Sequence, residues 1–173
     1  MARAYVAVGS NIQAEANITR GLRRLNDLTH ISAIATFFHS EAIGRPEQPS
    51  YTNGVVAIEA SLPPVGIKLG ILRKIESEVG RRRGADRYAA RELDLDLILF
   101  GDLVLDGDDL VLPDPEIYLR PFLAIPLLEL DPLLVLPDTG TPLSRIVQDM
   151  DAANIMPLRA FTETLRKEIG HEP

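Results

Sequence analysis

The sequence predicts an α+β fold in which an antiparallel β-sheet packs against helices. Short apolar segments with strand-like patterns recur along the chain, and two segments between them repeat apolar residues every three or four positions. In chain order the segments read β-α-β-β-α-β, which is the arrangement of a ferredoxin-like sandwich. We expect a four-stranded antiparallel sheet with helices on one face, followed by an irregular C-terminal third.

The first part of this pattern contains three strands and one helix. Apolar runs at residues 4–8 and 55–60 predict two strands, and the alternating residues 31–40 predict another. Between residues 13 and 28, apolar side chains recur at helical spacing and predict an amphipathic helix.

The remaining elements follow a second amphipathic pattern. That pattern ends at Gly80, a residue suited to stopping a helix, and residues 93–100 then predict a strand. Residues 104–111 predict a small hairpin. Prolines recurring between 113 and 142 predict short helical turns and loops, and residues 157–169 predict a terminal helix.

Composition limits the class of protein. The chain has 173 residues, no cysteine and a formal net charge of −7. We expect one domain over residues 1–173, with residues 151–173 as a helical C-terminal extension. The acidic balance argues against a general nucleic-acid binder. No apolar stretch reaches the ~20 residues needed to cross a bilayer, and the N-terminus lacks a signal-peptide core. We therefore expect a cytoplasmic protein. We also expect it to be a monomer or weak homodimer.

A cationic loop precedes a strand that carries two aspartates. Five arginines lie within residues 81–91, which we call the arginine loop, and Asp94 and Asp96 follow on one face of the strand. Because Ile98 and Phe100 continue that face, we expect it to be partly covered, so that the paired carboxylates need a cation. Oxygen ligands favour Mg²⁺ over zinc. The simpler alternatives are a solvated loop and a solvated sheet face.

The arginines are predicted to hold phosphate groups. The sequence has neither a Walker motif nor a Rossmann glycine motif, and guanidinium groups bind phosphate oxygens in pairs. The histidines are scattered and no general base stands out, which suits phosphoryl-type transfer because positioning and charge neutralisation dominate there. The predicted phosphate-binding residues are Arg81, Arg83, Arg87, Arg91 and Arg120.

Several motifs agree in order and spacing with one enzyme family. The segment Arg91-Glu92-Leu93-Asp94-Leu95-Asp96-Leu97-Ile98-Leu99-Phe100 matches the pattern R-x-L-D-[LI]-D-[LI]-x-[LF]-[FY]. Shorter matches are Gly9-Ser10-Asn11 to G-S-N, residues 48–53 to Q-x-x-[YF]-x-N, residues 76–81 to E-x-x-x-G-R, residues 120–122 to R-x-F, and residues 134–138 to [LV]-x-x-P-D. The chain, over about residues 4 to 150, thus resembles the hydroxymethyl-dihydropterin pyrophosphokinases of folate biosynthesis.

The resemblance implies a reaction and its catalytic residues. The β,γ-pyrophosphoryl group of ATP would move to the hydroxymethyl group of 6-hydroxymethyl-7,8-dihydropterin, with release of AMP. ATP is then the co-substrate, and two Mg²⁺ ions are the implied cofactor. The implied catalytic residues are Arg81, Arg91, Asp94 and Asp96, of which the two aspartates would hold the metal.

The resemblance also implies binding residues for both substrates. A flat heterocycle needs stacking surfaces and a few polar groups, which aromatic and amide side chains supply. The implied pterin-binding residues are Ile43, Tyr51, Asn53 and Phe122. The implied ATP-binding residues are Glu76, Arg83, Arg87 and Arg120.

The chain departs from the family pattern in two places. Asp114 stands where the family has a histidine, and Tyr88-Ala89-Ala90 replaces an aromatic residue and a proline in the arginine loop. A carboxylate beside a triphosphate repels it unless it faces away or meets a cation. The alternative function is therefore a catalytically impaired pterin- or nucleotide-binding module, and the departures leave room for a different pterin. A third hypothesis is an acidic scaffold with a surface arginine loop.

Overall fold

A computed structural model of the chain describes residues 1–82, 84–86 and 89–171. Its strands are β1 (Ala2–Ser10), β2 (His30–Ile34), β3 (Phe38–Ser40), β4 (Tyr51–Ala60), β5 (Asp94–Phe100), β6 (Leu105–Asp106), β7 (Val111–Leu112), β8 (Val135–Leu136), β9 (Thr141–Pro142) and β10 (Ile155–Pro157). Its α-helices are α1 (Ala14–Leu28), α2 (Arg73–Val79), α3 (Pro121–Leu130), α4 (Leu143–Gln148) and α5 (Arg159–Ile169). A π-helical segment, Gly66–Leu72, leads into α2, and a 3-10 helix, Pro115–Tyr118, precedes α3.

The main sheet is antiparallel and six-stranded. Its order is β10-β3-β4-β1-β5, and β2 pairs with the far half of β4. The predicted strand at residues 31–40 is thus present as two strands, β2 and β3, which lie along one neighbour. The order β2/β3-β4-β1-β5 is that of a split βαβ sheet, and this confirms the predicted ferredoxin-like α+β fold.

One face of the sheet is covered by helices that the sequence predicted. The buried side chains of α1, including Ile18, Leu22 and Leu25, pack against Val6 and Ile58 of the central strands. Helix α5 adds Phe161, Leu165 and Ile169 to the same cluster. Fully burying one such aliphatic side chain contributes about 1.5–3 kcal/mol, so this apolar layer holds the helices on the sheet.

The other face of the sheet is covered as well, which corrects the prediction of helices on one face. Helices α3 and α4 bring Leu123, Leu127 and Leu143 against Val55 and other residues of the central strands. The prolines between 113 and 142 predicted turns, yet Pro121 occupies the first turn of α3 and Pro126 lies inside the helix. Proline is tolerated in a first helical turn because its missing N–H has no intrahelical partner there.

A β-bulge in β5 changes which of its residues face each layer. The register with β1 shifts by one residue, so that Tyr5 pairs with Leu99 and Val6 pairs with Leu97. Ile98 and Leu99 both pack in the layer of α3, whereas Phe100 packs in the layer of α1. The prediction that Phe100 continues the face of the two aspartates is therefore wrong, because the inserted residue reverses the alternation.

No helix in the described part of the chain is long and apolar enough to cross a membrane.

The predicted hairpin is formed by β6 and β7, which pair Leu105 with Leu112. The terminal helix begins at Arg159, two residues after the predicted start.

Candidate active site

Three neighbouring strands bring the predicted site residues into one row. In the sheet register, Gly9 of β1 pairs with Asn53 of β4 on one side and with Asp94 of β5 on the other. Side chains that lie opposite each other across strands share a face. A Cβ atom on Gly9 would lie 2.9 Å from Asn53 Oδ1, so the glycine leaves a depression between the amide and the carboxylate.

This depression is part of a larger cleft with aromatic walls. Two adjoining cavities share Ile43, Tyr51, Asn53, Asp94 and Phe122, and we call their union the aromatic cleft. The four residues that the family resemblance implies for pterin binding therefore line one continuous cleft. The Asn53 amide donates a hydrogen bond to Ser40 Oγ at 2.5 Å, which fixes its orientation in the wall.

An ion-pair cluster lies at the end of this cleft. Both oxygens of Asp94 accept hydrogen bonds from guanidinium groups, one from Arg81 at 2.5 Å and the other from Arg91. Burial alone would lower the pKa of Arg81, but the neighbouring Asp94 and Glu76 carboxylates outweigh it and raise that pKa. Both arginines therefore carry their charge beside the first metal-ligating aspartate predicted from the sequence.

Glu76 supports this cluster from the protein interior. Its side chain is 2% exposed, and its Oε1 accepts hydrogen bonds from Arg81 and, at 2.8 Å, from the backbone N–H of Leu95. The left-handed backbone of Gly80, with φ of 115°, ends α2 and directs Arg81 back towards this carboxylate. Glu76 thus joins α2, the arginine loop and β5 at one point. Its predicted contact with nucleotide is untested and stays a prediction.

Asp96 differs from Asp94 in having an open side chain. It points from β5 into solvent at the junction of two clefts. Although part of this side chain is exposed, loss of hydration among the surrounding protein atoms raises the pKa of Asp96 from 3.8 to about 7, and the negative charges of Asp94, Glu76 and Asp114 add to the rise. Concentrated negative charge of this kind attracts a cation.

A second cleft begins on the other side of Asp96, and we call it the acidic cleft. Its lining includes Lys68, Asp96, Asp109, Leu110, Val111 and Asp114. Asp114 also lines the aromatic cleft, and its carboxylate caps the 3-10 helix by accepting the Glu116 N–H at 2.8 Å. Burial raises the pKa of Asp114, whereas the nearby Lys68 ammonium acts to lower it. The carboxylate that replaces the family histidine therefore shares its cleft with a cation.

Of the remaining predicted phosphate-binding arginines, the structure describes Arg120 and does not describe Arg83 or Arg87. Arg120 lines the aromatic cleft next to Phe122 and pairs with Glu116 at 2.5 Å. Arg83 and Arg87 lie outside the described residues, as does Tyr88 of the arginine loop.

The donor chemistry fits a hard divalent cation. Among the described residues there is no group of three or more acidic, histidine or cysteine side chains suited to holding a metal ion. Asp94 and Asp96 both offer carboxylate oxygens to the aromatic cleft, and Asp96 also lines the acidic cleft. Mg²⁺ is commonly held by one or two carboxylates with water and substrate phosphates completing its coordination, so this sparse donor set suits it.

Sequence reasoning missed the polar residues that connect the site. Asn11 and Gln48 belong to two of the family motifs, but those motifs predict no role for them. Gln48 lines the aromatic cleft, and the Asn11 amide donates a hydrogen bond to Gln48. The only available signal was their presence in the motifs, because their partners lie far away in the sequence.

Comparison with known proteins agrees with this site. Residues 5–132 match the model of the family described as 7,8-dihydro-6-hydroxymethylpterin-pyrophosphokinase (HPPK). The 2-amino-4-hydroxy-6-hydroxymethyldihydropteridine pyrophosphokinase of Haemophilus influenzae is 35% identical over 142 residues, 80% of this chain and 88% of that protein. The enzyme of the same name from Pseudomonas aeruginosa is 38% identical over 139 residues, 79% of this chain and 85% of that protein.

Solved structures agree on the fold. The Plasmodium falciparum HPPK-DHPS A437G structure with SDX-DHP superposes with a TM-score of 0.60 at 10% identity, over 85% of this chain. The chain spans 42% of that longer polypeptide, so the likeness concerns one part of it. The family match covers well over half of the chain, and the chain belongs to the 7,8-dihydro-6-hydroxymethylpterin-pyrophosphokinase family.

Proposed function

We propose that the chain transfers the β,γ-pyrophosphoryl group of ATP to the hydroxymethyl oxygen of 6-hydroxymethyl-7,8-dihydropterin. The hydroxymethyl oxygen forms a bond to the β-phosphorus and loses its proton. The bond from that phosphorus to the oxygen bridging the α-phosphate breaks, and AMP leaves with the bridging oxygen. The observation that carries the proposal is the meeting of two clefts at Asp96, beside Asp94 of the aromatic cleft, each cleft with the chemistry of one substrate.

The aromatic cleft suits the pterin. Tyr51 and Phe122 offer ring surfaces, and Asn53 offers an amide to the polar edge of a planar heterocycle. The cleft ends at Asp94, so a substituent of the bound ring would point towards the ion-pair cluster. A hydroxymethyl group in that direction meets the position at which a transferring group would be held.

The acidic cleft suits the nucleotide. Leu110 and Val111 provide apolar surface for a base, and Lys68 provides a cation. Arg81 and Arg91 both pair with Asp94 of the aromatic cleft, and their guanidinium groups would stabilise negative charge on a transferring pyrophosphoryl group there. None of the histidines lines either cleft among the described residues, which agrees with a reaction that depends on positioning.

We propose that Asp94 and Asp96 hold two Mg²⁺ ions together with the triphosphate. When bound, these ions neutralise phosphate oxygens and orient the reacting group. The support is that Asp94 and Asp96 line the same cleft, and that burial and then the neighbouring carboxylates raise the pKa of Asp96.

The remaining features stay proposals of the same kind. We propose that residues 1–173 act as one domain, because α5 contributes to the same apolar cluster as α1 and the central strands. The expected location is the cytoplasm, and the expected form is a monomer or weak homodimer.

The test is an analysis of reaction products. Wild-type protein, Asp96→Asn and the control Asp102→Asn, an exposed carboxylate just after β5, are incubated with ATP, Mg²⁺ and the pterin. We expect wild-type protein and Asp102→Asn to form AMP and a pterin diphosphate in equal amounts, and Asp96→Asn to form neither. Formation of ADP would indicate transfer of a single phosphoryl group. Binding of both substrates without product would favour the impaired binding module.

A further inference from the structure

Asn11 connects the two loops that border the site. Its side chain is 4% exposed at the end of β1, and its Oδ1 accepts the backbone N–H of Arg91 at 2.8 Å. Its Nδ2 donates to the Pro49 carbonyl at 3.2 Å and to Gln48 Oε1 at 3.4 Å. The Asn11 backbone N–H also donates to the Arg91 carbonyl at 3.1 Å.

Gln48 and Arg91 both line the aromatic cleft, but under the proposed function the loops that carry them serve different substrates. Gln48 lines the aromatic cleft, and Pro49 comes two residues before Tyr51 at the start of β4. Arg91 donates to Asp94 at the end of the same cleft. The side-chain amide of Asn11 therefore joins the wall of the aromatic cleft, at Gln48 and Pro49, to the backbone of Arg91.

The side chain at position 11 must accept a hydrogen bond from one loop and donate to the other. A carboxamide offers an acceptor oxygen and two donor hydrogens, whereas alanine offers neither and a carboxylate only accepts. The loops are also linked at the surface, where Arg45 pairs with Asp86 at 3.0 Å. Both of those side chains are well exposed, so that link contributes little.

We infer that Asn11 is a positioning residue that couples the pterin cleft to Arg91. When the phosphates of a nucleotide bind Arg91, the backbone at Arg91 becomes less mobile. Through the hydrogen bonds of Asn11, Gln48 and Pro49 in the wall of the aromatic cleft become less mobile as well. Bound nucleotide therefore tightens pterin binding through Asn11. This inference rests on the proposed pyrophosphoryl transfer.

Asn17 provides a matched control. It is a buried asparagine, 6% exposed, in the first turn of α1, which follows the same turn after β1. Its Nδ2 donates to the Ile12 carbonyl at 2.7 Å, and its Oδ1 accepts from Arg20 at 3.3 Å. It therefore supports the turn after β1 as Asn11 does, but it contacts neither of the two loops through these bonds.

The experiment measures pterin affinity with and without Mg²⁺ and an α,β-methylene analogue of ATP. In wild-type protein we expect the analogue to tighten pterin binding by at least about fivefold, the lower end of typical coupling between sites. In Asn11→Ala the tightening should fall below about twofold, and kcat should fall about 10- to 100-fold, as expected for losing buried hydrogen bonds that order a reacting group. Affinity for the analogue alone should change by less than about threefold, since Arg91 remains present.

The controls separate coupling from stability. Asn17→Ala should lower Tm to an extent similar to that of Asn11→Ala. It should nevertheless keep the wild-type kcat and the tightening of pterin binding by the ATP analogue. Asn11→Asp keeps the acceptor for the Arg91 N–H and loses the donor to Pro49 and Gln48, so it should raise the KM for pterin more than it lowers kcat. It also serves as the test if Asn11→Ala does not fold.

Equal loss of coupling in Asn17→Ala would overturn the inference, as would full coupling in Asn11→Ala or no tightening in wild-type protein. Failure of the proposed function is recognised separately, because wild-type protein would then form no AMP in the presence of pterin.

Discussion

Replacing Asp94 and Asp96 with asparagine, one at a time, should change the stability of the metal-free protein in opposite directions. Asp94 is 20% exposed at its side chain and pairs with Arg81 and Arg91. Asp96 is open to solvent and is surrounded by other carboxylates. Asparagine removes a favourable charge at the first position and an unfavourable charge at the second.

The magnitudes follow from these environments. Losing the paired charge of Asp94 should cost about 1–2 kcal/mol, between the values for surface and buried pairs. The pKa of Asp96 rises from 3.8 to about 7 in the folded protein. Each pKa unit corresponds to about 1.4 kcal/mol, but solvent screens an exposed carboxylate strongly, so we expect a net gain of about 1 kcal/mol from Asp96→Asn.

The pH dependence has a definite sign. A carboxyl whose folded pKa is raised binds a proton in the folded state after the unfolded chain has released it, so stability is lost as pH rises from about 4 through about 7. Asp96→Asn removes this loss. Its advantage over wild-type protein should therefore be larger at pH 7.5 than at pH 5.

The assay is thermal unfolding of the three proteins in EDTA at both pH values. For a domain of this size about 1 kcal/mol corresponds to roughly 2–4 °C in Tm. We expect Asp96→Asn to melt about 2–4 °C above wild-type protein at pH 7.5 and Asp94→Asn to melt about 2–8 °C below it. Changes of the same sign at the two positions, or an effect of Asp96→Asn that does not vary with pH, would refute the reasoning.

Three further predictions concern substrates. Arg81→Ala should lower kcat by about 100-fold or more while changing the affinity for an ATP analogue by only a few-fold, because the proposal places its guanidinium on the transferring group. Equal losses in both quantities would contradict the proposed role. Asp114→Asn retains the helix cap and removes a negative charge that lines both clefts, so the KM for ATP should fall about three- to tenfold, and an unchanged KM would show that Lys68 already neutralises that charge. Phe122→Leu keeps an apolar side chain but loses a ring face, so the Kd for pterin should rise about two- to tenfold while the Kd for nucleotide stays constant; equal weakening of both would place Phe122 outside the pterin site.

Local patterns were sufficient for the elements that carry their own signal. The apolar spacing of α1 and the alternation around Asp94 and Asp96 depend on neighbouring residues only, and the structure agrees with both. The bulge that turns Phe100 away depends on the pairing of β5 with β1, which alternation alone does not reveal. The prolines of α3 predict turns, whereas the helix is stabilised by an apolar sheet face that the local sequence does not reveal.

Most of the connections within the site were beyond local patterns. Glu76 is recognisable as a motif residue, but its burial between Arg81 and the N–H of Leu95 depends on how α2 packs beside β5. The partners of Asn11 lie 37 to 80 residues away. Contacts across such separations depend on the assembled sheet, so the sequence indicates which residue types are present and only the fold shows what they bind.

The most direct test of the account is whether AMP release from ATP depends on pterin. Purified protein with ATP and Mg²⁺ is followed for AMP with and without 6-hydroxymethyl-7,8-dihydropterin. We predict AMP formation only when the pterin is present, because its hydroxymethyl group is the acceptor at the junction of the two clefts. AMP formation at the same rate without the pterin would contradict pyrophosphoryl transfer at Asp94 and Asp96. So would the absence of AMP formation when both substrates bind.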